Sequence, residues 1–128
     1  MKTIAAALAI AASLFAQEAK EPQYEMTTYV LGLLYRGPNA GTGTPEEAAK
    51  LQEGHMANIG AMAKAGKLTV AGPIGDKGEL RGIFIFHNTT MDEAKALVAA
   101  DPAIKAGRLR IELHPWFAAK GIKPDPPK

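Results

Sequence analysis

The segment that most constrains the fold is residues 27–36, because it is apolar on both of the faces that a β-strand presents. Alternate residues make up the two faces: Tyr29, Leu31, Leu33 and Tyr35 on one side, and Thr28, Val30, Gly32 and Leu34 on the other. A strand with one face in water would instead alternate between apolar and polar residues. The pattern therefore predicts a central strand that is covered on both sides.

Helical spacing and helix caps predict two helices. Residues 45–65 repeat apolar side chains every three or four positions, which is typical of one buried helix face. Thr44, with a proline directly after it and a glutamate three residues on, forms a capping box before this helix. The second helix is expected to start after Asn88 or Thr90, which are both good N-caps, and to end near residue 100.

Three further runs predict strands at residues 68–71, 82–86 and 108–114. The resulting order is strand, helix, strand, strand, helix, strand. It predicts an α+β, ferredoxin-like βαββαβ fold, in which a four-stranded antiparallel sheet carries two helices on one face. The other face is apolar on the central strands but has no cover within the chain. We therefore expect a homodimer in which two such sheets pack face to face, since a domain of this size also needs the additional burial.

The two ends of the chain are expected to lie outside this domain. Residues 1–16 combine a positively charged start, an apolar run and a small residue at a plausible cleavage point, which predicts a signal peptide. The run is shorter than the roughly 20 residues of a membrane span, so we expect a periplasmic or secreted protein with no membrane contact after cleavage. Residues 17–25 are interpreted as a linker, 26–120 as the domain, and 121–128 as a disordered, proline-rich tail.

Composition excludes several kinds of function. The chain has no cysteine, so disulfides, cysteine nucleophiles and cysteine–zinc sites are excluded. The formal net charge is +2 and the basic residues form no block, so we expect no nucleic-acid partner. The three histidines lack the spacing of a metal site, and no metal is expected.

Two ionisable residues point towards the predicted core. His55 lies four residues after Leu51 and four before Ile59, so its ring shares the apolar face of the first helix. Asp101 follows the apolar stripe of the second helix with the same spacing. Two such groups aimed at one core are a candidate proton-transfer pair. The alternative is that His55 is a hydrogen-bonded core residue and that Asp101 is the N-cap of a short turn that starts with Pro102.

Seven segments carry a family resemblance: LGLLYRGP at 31–38, GHMANI at 54–59, GKL at 66–68, AGP at 71–73, LRGIFIF at 80–86, DPAIKAG at 101–107 and ELHPW at 112–116. Over residues 27–116 the chain resembles the YCII-related family of small dimeric α/β-barrel proteins. The resemblance implies a ferredoxin-like fold, dimerisation through the sheets, and a catalytic histidine and aspartate that fall on His55 and Asp101. One member of that family is a dehydrochlorinase of a chlorinated aromatic diol, and most have no assigned reaction. Typical members are cytoplasmic, so the predicted leader is a departure.

We therefore expect an exported enzyme that needs no cofactor, in which His55 is the general acid or base and Asp101 orients it. Its reaction would be elimination or hydrolysis of a small molecule. The residues expected to line its pocket are Asn58, Gly72, Pro73 and Arg81. Gly72 and Pro73 fit a strand end equally well, and Arg81 also fits a solvated surface position. The alternative function is a non-catalytic dimer that binds a small ligand or acts as a scaffold.

Overall fold

Within residues 20–123, four strands and three helices follow one another in the order that the sequence predicts, with one short helix added. The computed structural model describes residues 20–123, so the predicted signal peptide, the start of the linker and residues 124–128 lie outside the described part. The elements are β1 Met26–Arg36, α1 Pro45–Lys64, β2 Leu68–Pro73, β3 Leu80–Phe86, α2 Met91–Ala99, α3 Pro102–Lys105 and β4 Leu109–Ala119. Among these residues no helix is both long and apolar enough to cross a bilayer.

The sheet has the strand order β2-β3-β1-β4, and every neighbouring pair is antiparallel. β1 therefore lies in the interior of the sheet, as its two-sided apolar pattern predicts. One face of the sheet packs against α1 and α2, and this layer holds the buried core residues Val30, Leu34, Met62, Phe84, Phe86 and Val98. The predicted ferredoxin-like α+β fold is confirmed.

Caps define where the two longer helices begin and end. The Thr44 hydroxyl accepts a hydrogen bond from the Glu47 backbone N–H, and the Glu47 carboxylate accepts one from the Thr44 N–H, both at 3.1 Å. This is the predicted capping box. Gly66 follows α1 with a φ of +74°, a left-handed conformation that suits glycine. Of the two candidate caps of α2, Thr90 is the one used, because its hydroxyl accepts a bond from the Glu93 N–H at 3.1 Å.

The face of the sheet that points away from the helices is apolar in its centre, and we call it the open face. Its central side chains are half-buried: Leu31 and Leu33 on β1, and Ile83 and Ile85 on β3. They alternate with the fully buried residues of the opposite face. The structure describes one chain, so the homodimer stays a prediction.

The C-terminal end is ordered further than the sequence predicts. β4 continues through Pro115 to Ala119, because an edge strand tolerates a residue without an N–H. Beyond it, the backbone N–H groups of Gly121 and Ile122 donate to the Tyr29 hydroxyl at 3.1 and 3.3 Å, and the Thr69 hydroxyl donates to the Ile122 carbonyl at 3.3 Å. The predicted start of the disordered tail at residue 121 is thus wrong by at least two residues. The buried ring of Tyr29 needs partners for its hydroxyl, and these residues supply them.

Candidate active site

The structure brings His55 and Asp101 into contact across two elements. His55 on α1 is 9% exposed and Asp101 is 0% exposed. The ring Nδ1 lies 2.5 Å from the carboxylate Oδ2. The other carboxylate oxygen, Oδ1, accepts the Ala103 backbone N–H at 2.9 Å, so the charge that burial would otherwise destabilise has a donor on each oxygen. The two interpretations of Asp101, N-cap of α3 and partner of His55, therefore hold together.

This contact leaves one nitrogen of the His55 ring available for chemistry. An ionised Asp101 accepts the proton on Nδ1, so a neutral ring carries its free lone pair on Nε2. Nε2 makes no hydrogen bond within residues 20–123. The ring also stacks on Phe84, with centroids 6.2 Å apart and planes inclined by 17°. Asp101 and Phe84 thus fix the orientation of the ring. In this orientation Nε2 can take or give a proton.

Gly54, directly before His55, allows α1 to approach α3 closely. A Cβ atom at Gly54 would lie 2.7 Å from Pro102 Cγ, a separation too short for two carbon atoms. Pro102 is the residue after Asp101, so the missing side chain lets the carboxylate reach the ring. Sequence analysis placed Gly54 in a family segment but assigned it no role, since spacing along one helix does not reveal what packs against it.

A cavity of about 960 Å³ opens beside His55, between α1 and one end of the sheet. Three of the predicted pocket residues, Gly72, Pro73 and Arg81, line it together with His55. Its apolar wall consists of Leu34, Met56, Ile59, Ala71, Phe84 and Leu109. A cavity of this size that combines an apolar wall with polar and charged groups is suited to a small molecule.

Asn58 lies elsewhere, and its expected place in the pocket wall is corrected. Its side-chain amide donates to the Leu97 carbonyl at 3.3 Å and lies 3.9 Å from the Met62 sulfur. Carbonyls in the last turn of a helix lack partners within that helix, so Asn58 satisfies one at the end of α2. It ties α1 to α2 and does not line the cavity.

Three basic residues of the cavity wall were missed by sequence analysis: Arg36, Lys77 and Arg108. The sequence does indicate that Arg36 and Arg108 lie close together, because Arg36 ends β1 and Arg108 directly precedes β4. In an antiparallel pair, the end of one strand lies beside the start of its neighbour. Within residues 20–123 no group of three or more histidine or carboxylate side chains is arranged to hold a metal ion.

Fold and site together define an α+β protein with a ferredoxin-like sheet and a buried histidine–aspartate pair beside a cavity. The family model of the YCII-related domain, which describes the sequences of its members, matches residues 28–116. The chain therefore belongs to that family. The resemblance predicted from the sequence is thereby confirmed.

One similar solved structure is that of 5-chloro-2-hydroxyhydroquinone dehydrochlorinase from Burkholderia phenoliruptrix, in complex with 2,5-dihydroxybenzoquinone. It is 23% identical to this chain, covers 67% of this chain and 92% of its own, and has a TM-score of 0.48. No protein of curated function matches the chain.

Proposed function

We propose that this protein is an exported enzyme that uses His55 and Asp101 for acid/base chemistry, elimination or hydrolysis, on a small molecule. The observation that carries the proposal is the 2.5 Å contact between His55 Nδ1 and Asp101 Oδ2 at the wall of a cavity. His55 is the group that touches substrate. Asp101 is a positioning residue, because it acts through the ring.

In an elimination, Nε2 removes a proton from the substrate while the leaving group departs with its bonding electron pair. The imidazolium that forms keeps its Nδ1 proton in the hydrogen bond to Asp101, whose negative charge stabilises it. The Nε2 proton then passes to the leaving group or to water, which restores the neutral ring. In a hydrolysis, the same nitrogen removes a proton from the water that attacks the substrate, and the imidazolium gives that proton to the leaving group as its bond to the substrate breaks. Either reaction draws only on proton transfer, so the proposal requires no cofactor.

Export and dimerisation belong to the same proposal. Residues 1–16 have the composition of a signal peptide, and mass spectrometry of the exported protein should find a mature chain that begins at Gln17. A second copy of the chain is the proposed occupant of the open face, since four half-buried aliphatic side chains in the middle of a sheet favour association. A full-length chain retained in the cytoplasm would contradict the export part.

The test of the chemistry compares the wild-type protein with His55→Gln and Asp101→Asn. Chlorinated hydroxyarenes report elimination by release of chloride, and esters of small carboxylic acids report hydrolysis by release of acid. Loss of a general acid or base lowers turnover by about 10²–10⁴-fold, and this is the loss expected for His55→Gln. Asp101→Asn should lower kcat more than it changes KM, because it disturbs the ring and not the cavity wall.

The control is His114→Gln, because His114 is an exposed histidine on β4 that should leave turnover unchanged. Turnover by His55→Gln at the wild-type rate would contradict the proposal. A compound that binds in the cavity and is recovered unchanged, with no turnover of any compound in the panel, would favour the alternative of a ligand-binding protein.

A further inference from the structure

The cavity beside His55 concentrates positive charge. Four basic residues line it, namely Arg36, Lys77, Arg81 and Arg108, together with one carboxylate, Glu79. Over the whole chain the charges are almost balanced, with 15 basic and 13 acidic residues. Three of the four arginines in the sequence nevertheless meet at this one place. A cavity lined by charges of one sign focuses the electrostatic potential and attracts ligands of the opposite sign.

The sheet topology builds this cluster from separate strands. Arg36 is the last residue of β1 and Arg108 immediately precedes β4. Backbone hydrogen bonds hold these ends together, from the Arg36 N–H to the Glu79 carbonyl and from the Gly37 N–H to the Arg108 carbonyl, each at 2.9 Å. The backbone positions of Arg36 and Arg108 are therefore set by the pairing of β1 with its two neighbouring strands.

A β-bulge accounts for the place of Arg81. Leu34 pairs with Gly82, but Tyr35 pairs with Leu80, so Arg81 is an extra residue between them. Regular alternation would place Arg81 on the open face with Ile83, whereas it lines the cavity. Bulges redirect side chains in this way and are frequent beside active sites.

The four cations have no carboxylate partner in the part of the chain that the structure describes. Within residues 20–123, no carboxylate lies within 4 Å of the charged groups of Arg36, Lys77, Arg81 or Arg108. The remaining arginine, Arg110, is different, because it bonds to Glu112 at 3.2 Å and lies 4.2 Å over the Tyr35 ring. Unpaired guanidinium groups that converge on a cavity are suited to bind a carboxylate or phenolate oxygen.

We infer that the site takes a small organic anion, a carboxylate or phenolate on a compact apolar body. The arginines hold the anionic end and the body lies on the apolar wall that includes Leu34, Ile59 and Phe84. The same cations stabilise negative charge that develops on the substrate when Nε2 removes a proton. The inference concerns the substrate of the proposed enzyme and to that extent rests on the proposed function, but anion binding itself does not require turnover.

The test titrates ¹⁵N-labelled protein with benzoate and with its uncharged counterpart benzamide. The backbone amides of Gly72 and Gly82, which line the cavity, report binding there. Benzoate should bind at least about tenfold more tightly than benzamide, because one hydrogen bond to a charged group lowers the dissociation constant by about that much. Arg81→Gln and Arg36→Gln should each weaken benzoate by about tenfold and leave benzamide unchanged. Arg110→Gln is the control, because it removes the same charge from the open face.

Equal binding of the two probes, or benzoate shifts that avoid Gly72 and Gly82, would overturn the inference. It would also fall if Arg110→Gln weakened benzoate as much as Arg81→Gln does. The proposed function fails separately, since benzoate has no leaving group and the titration does not measure chemistry. A protein that prefers benzoate but keeps full turnover in His55→Gln has an anion site without the acid/base mechanism.

Discussion

Gly54→Ala and Gly60→Ala form a matched pair of substitutions in α1 that isolates the contact between α1 and α3. Both replace a glycine inside a helix, which raises helix stability by about 1 kcal/mol. At Gly60 the new methyl group meets nothing within 4 Å. At Gly54 it would lie 2.7 Å from Pro102 Cγ and 3.2 Å from Pro102 Cβ. Overpacking of this kind costs about 1–3 kcal/mol.

The free energies of unfolding of the two variants should therefore differ by about 1–3 kcal/mol. Gly60→Ala should be about 1 kcal/mol more stable than the wild type. Gly54→Ala should be unchanged or up to about 2 kcal/mol less stable, because the same propensity gain is set against the clash. Urea denaturation measures both values, and equal m-values would show that the denatured state is not the cause.

The site should respond only to Gly54→Ala. Movement of Pro102 away from α1 carries Asp101 with it, and the bond from His55 Nδ1 weakens. Imidazole ¹⁵N resonances report which ring nitrogen holds the proton, so this variant should show a mixture of tautomers where Gly60→Ala shows the wild-type spectrum. Adding Pro102→Ala to Gly54→Ala removes the Cγ atom of the closest contact and should recover part of the lost stability. Two alanine variants with equal stability and identical His55 spectra would refute the argument that this close approach positions Asp101.

Three further predictions concern other parts of the fold. Asp101→Ala leaves the Nδ1 proton of His55 and the Ala103 N–H without an acceptor, so the free energy of unfolding should fall by about 2–5 kcal/mol. A fall of less than about 1 kcal/mol in denaturation experiments would be inconsistent with a buried ionised carboxylate. Ile83→Lys on the open face should convert a dimer to a monomer in sedimentation, unlike Ala96→Lys at an exposed position of α2, and a wild-type monomer would rule out the dimer. Tyr29→Phe removes the hydroxyl that accepts the backbone N–H groups of Gly121 and Ile122, so hydrogen exchange of these two amides should accelerate. Unchanged protection would show that the Tyr29 hydroxyl does not hold these residues in place.

The sequence predicted the fold best where local chemistry and periodicity agree. The two-sided pattern of β1 predicted its interior position, and the capping box at Thr44 predicted the start of α1. The end of β4 was missed because Pro115 breaks the strand pattern, although an edge strand accepts it. The tail boundary was missed because its partner, Tyr29, lies about 90 residues away in the sequence.

The candidate site was predicted only in part, because local periodicity indicates which side chains point inwards but not which distant residues they meet. Helical spacing directed both His55 and Asp101 towards the core, and the family resemblance implied their catalytic roles. Asn58 lies about one turn after His55 on α1. It was misplaced because its position on the helix does not specify which neighbouring element its side chain contacts. Arg36 and Arg108 were missed because their proximity depends on strand pairing across the sheet, which no single segment contains.

The bulge at Arg81 makes the β1–β3 pair sensitive to the number of residues as well as to their identity. Deleting Leu80 would allow the two strands to pair without interruption, and Arg81 would then fall opposite Tyr35, on the far side of the sheet from His55. A length variant of one residue would thus move a charge from one surface to the other while every remaining side chain is retained. Insertions and deletions should be tolerated in the connection between β2 and β3 only where they leave this offset intact.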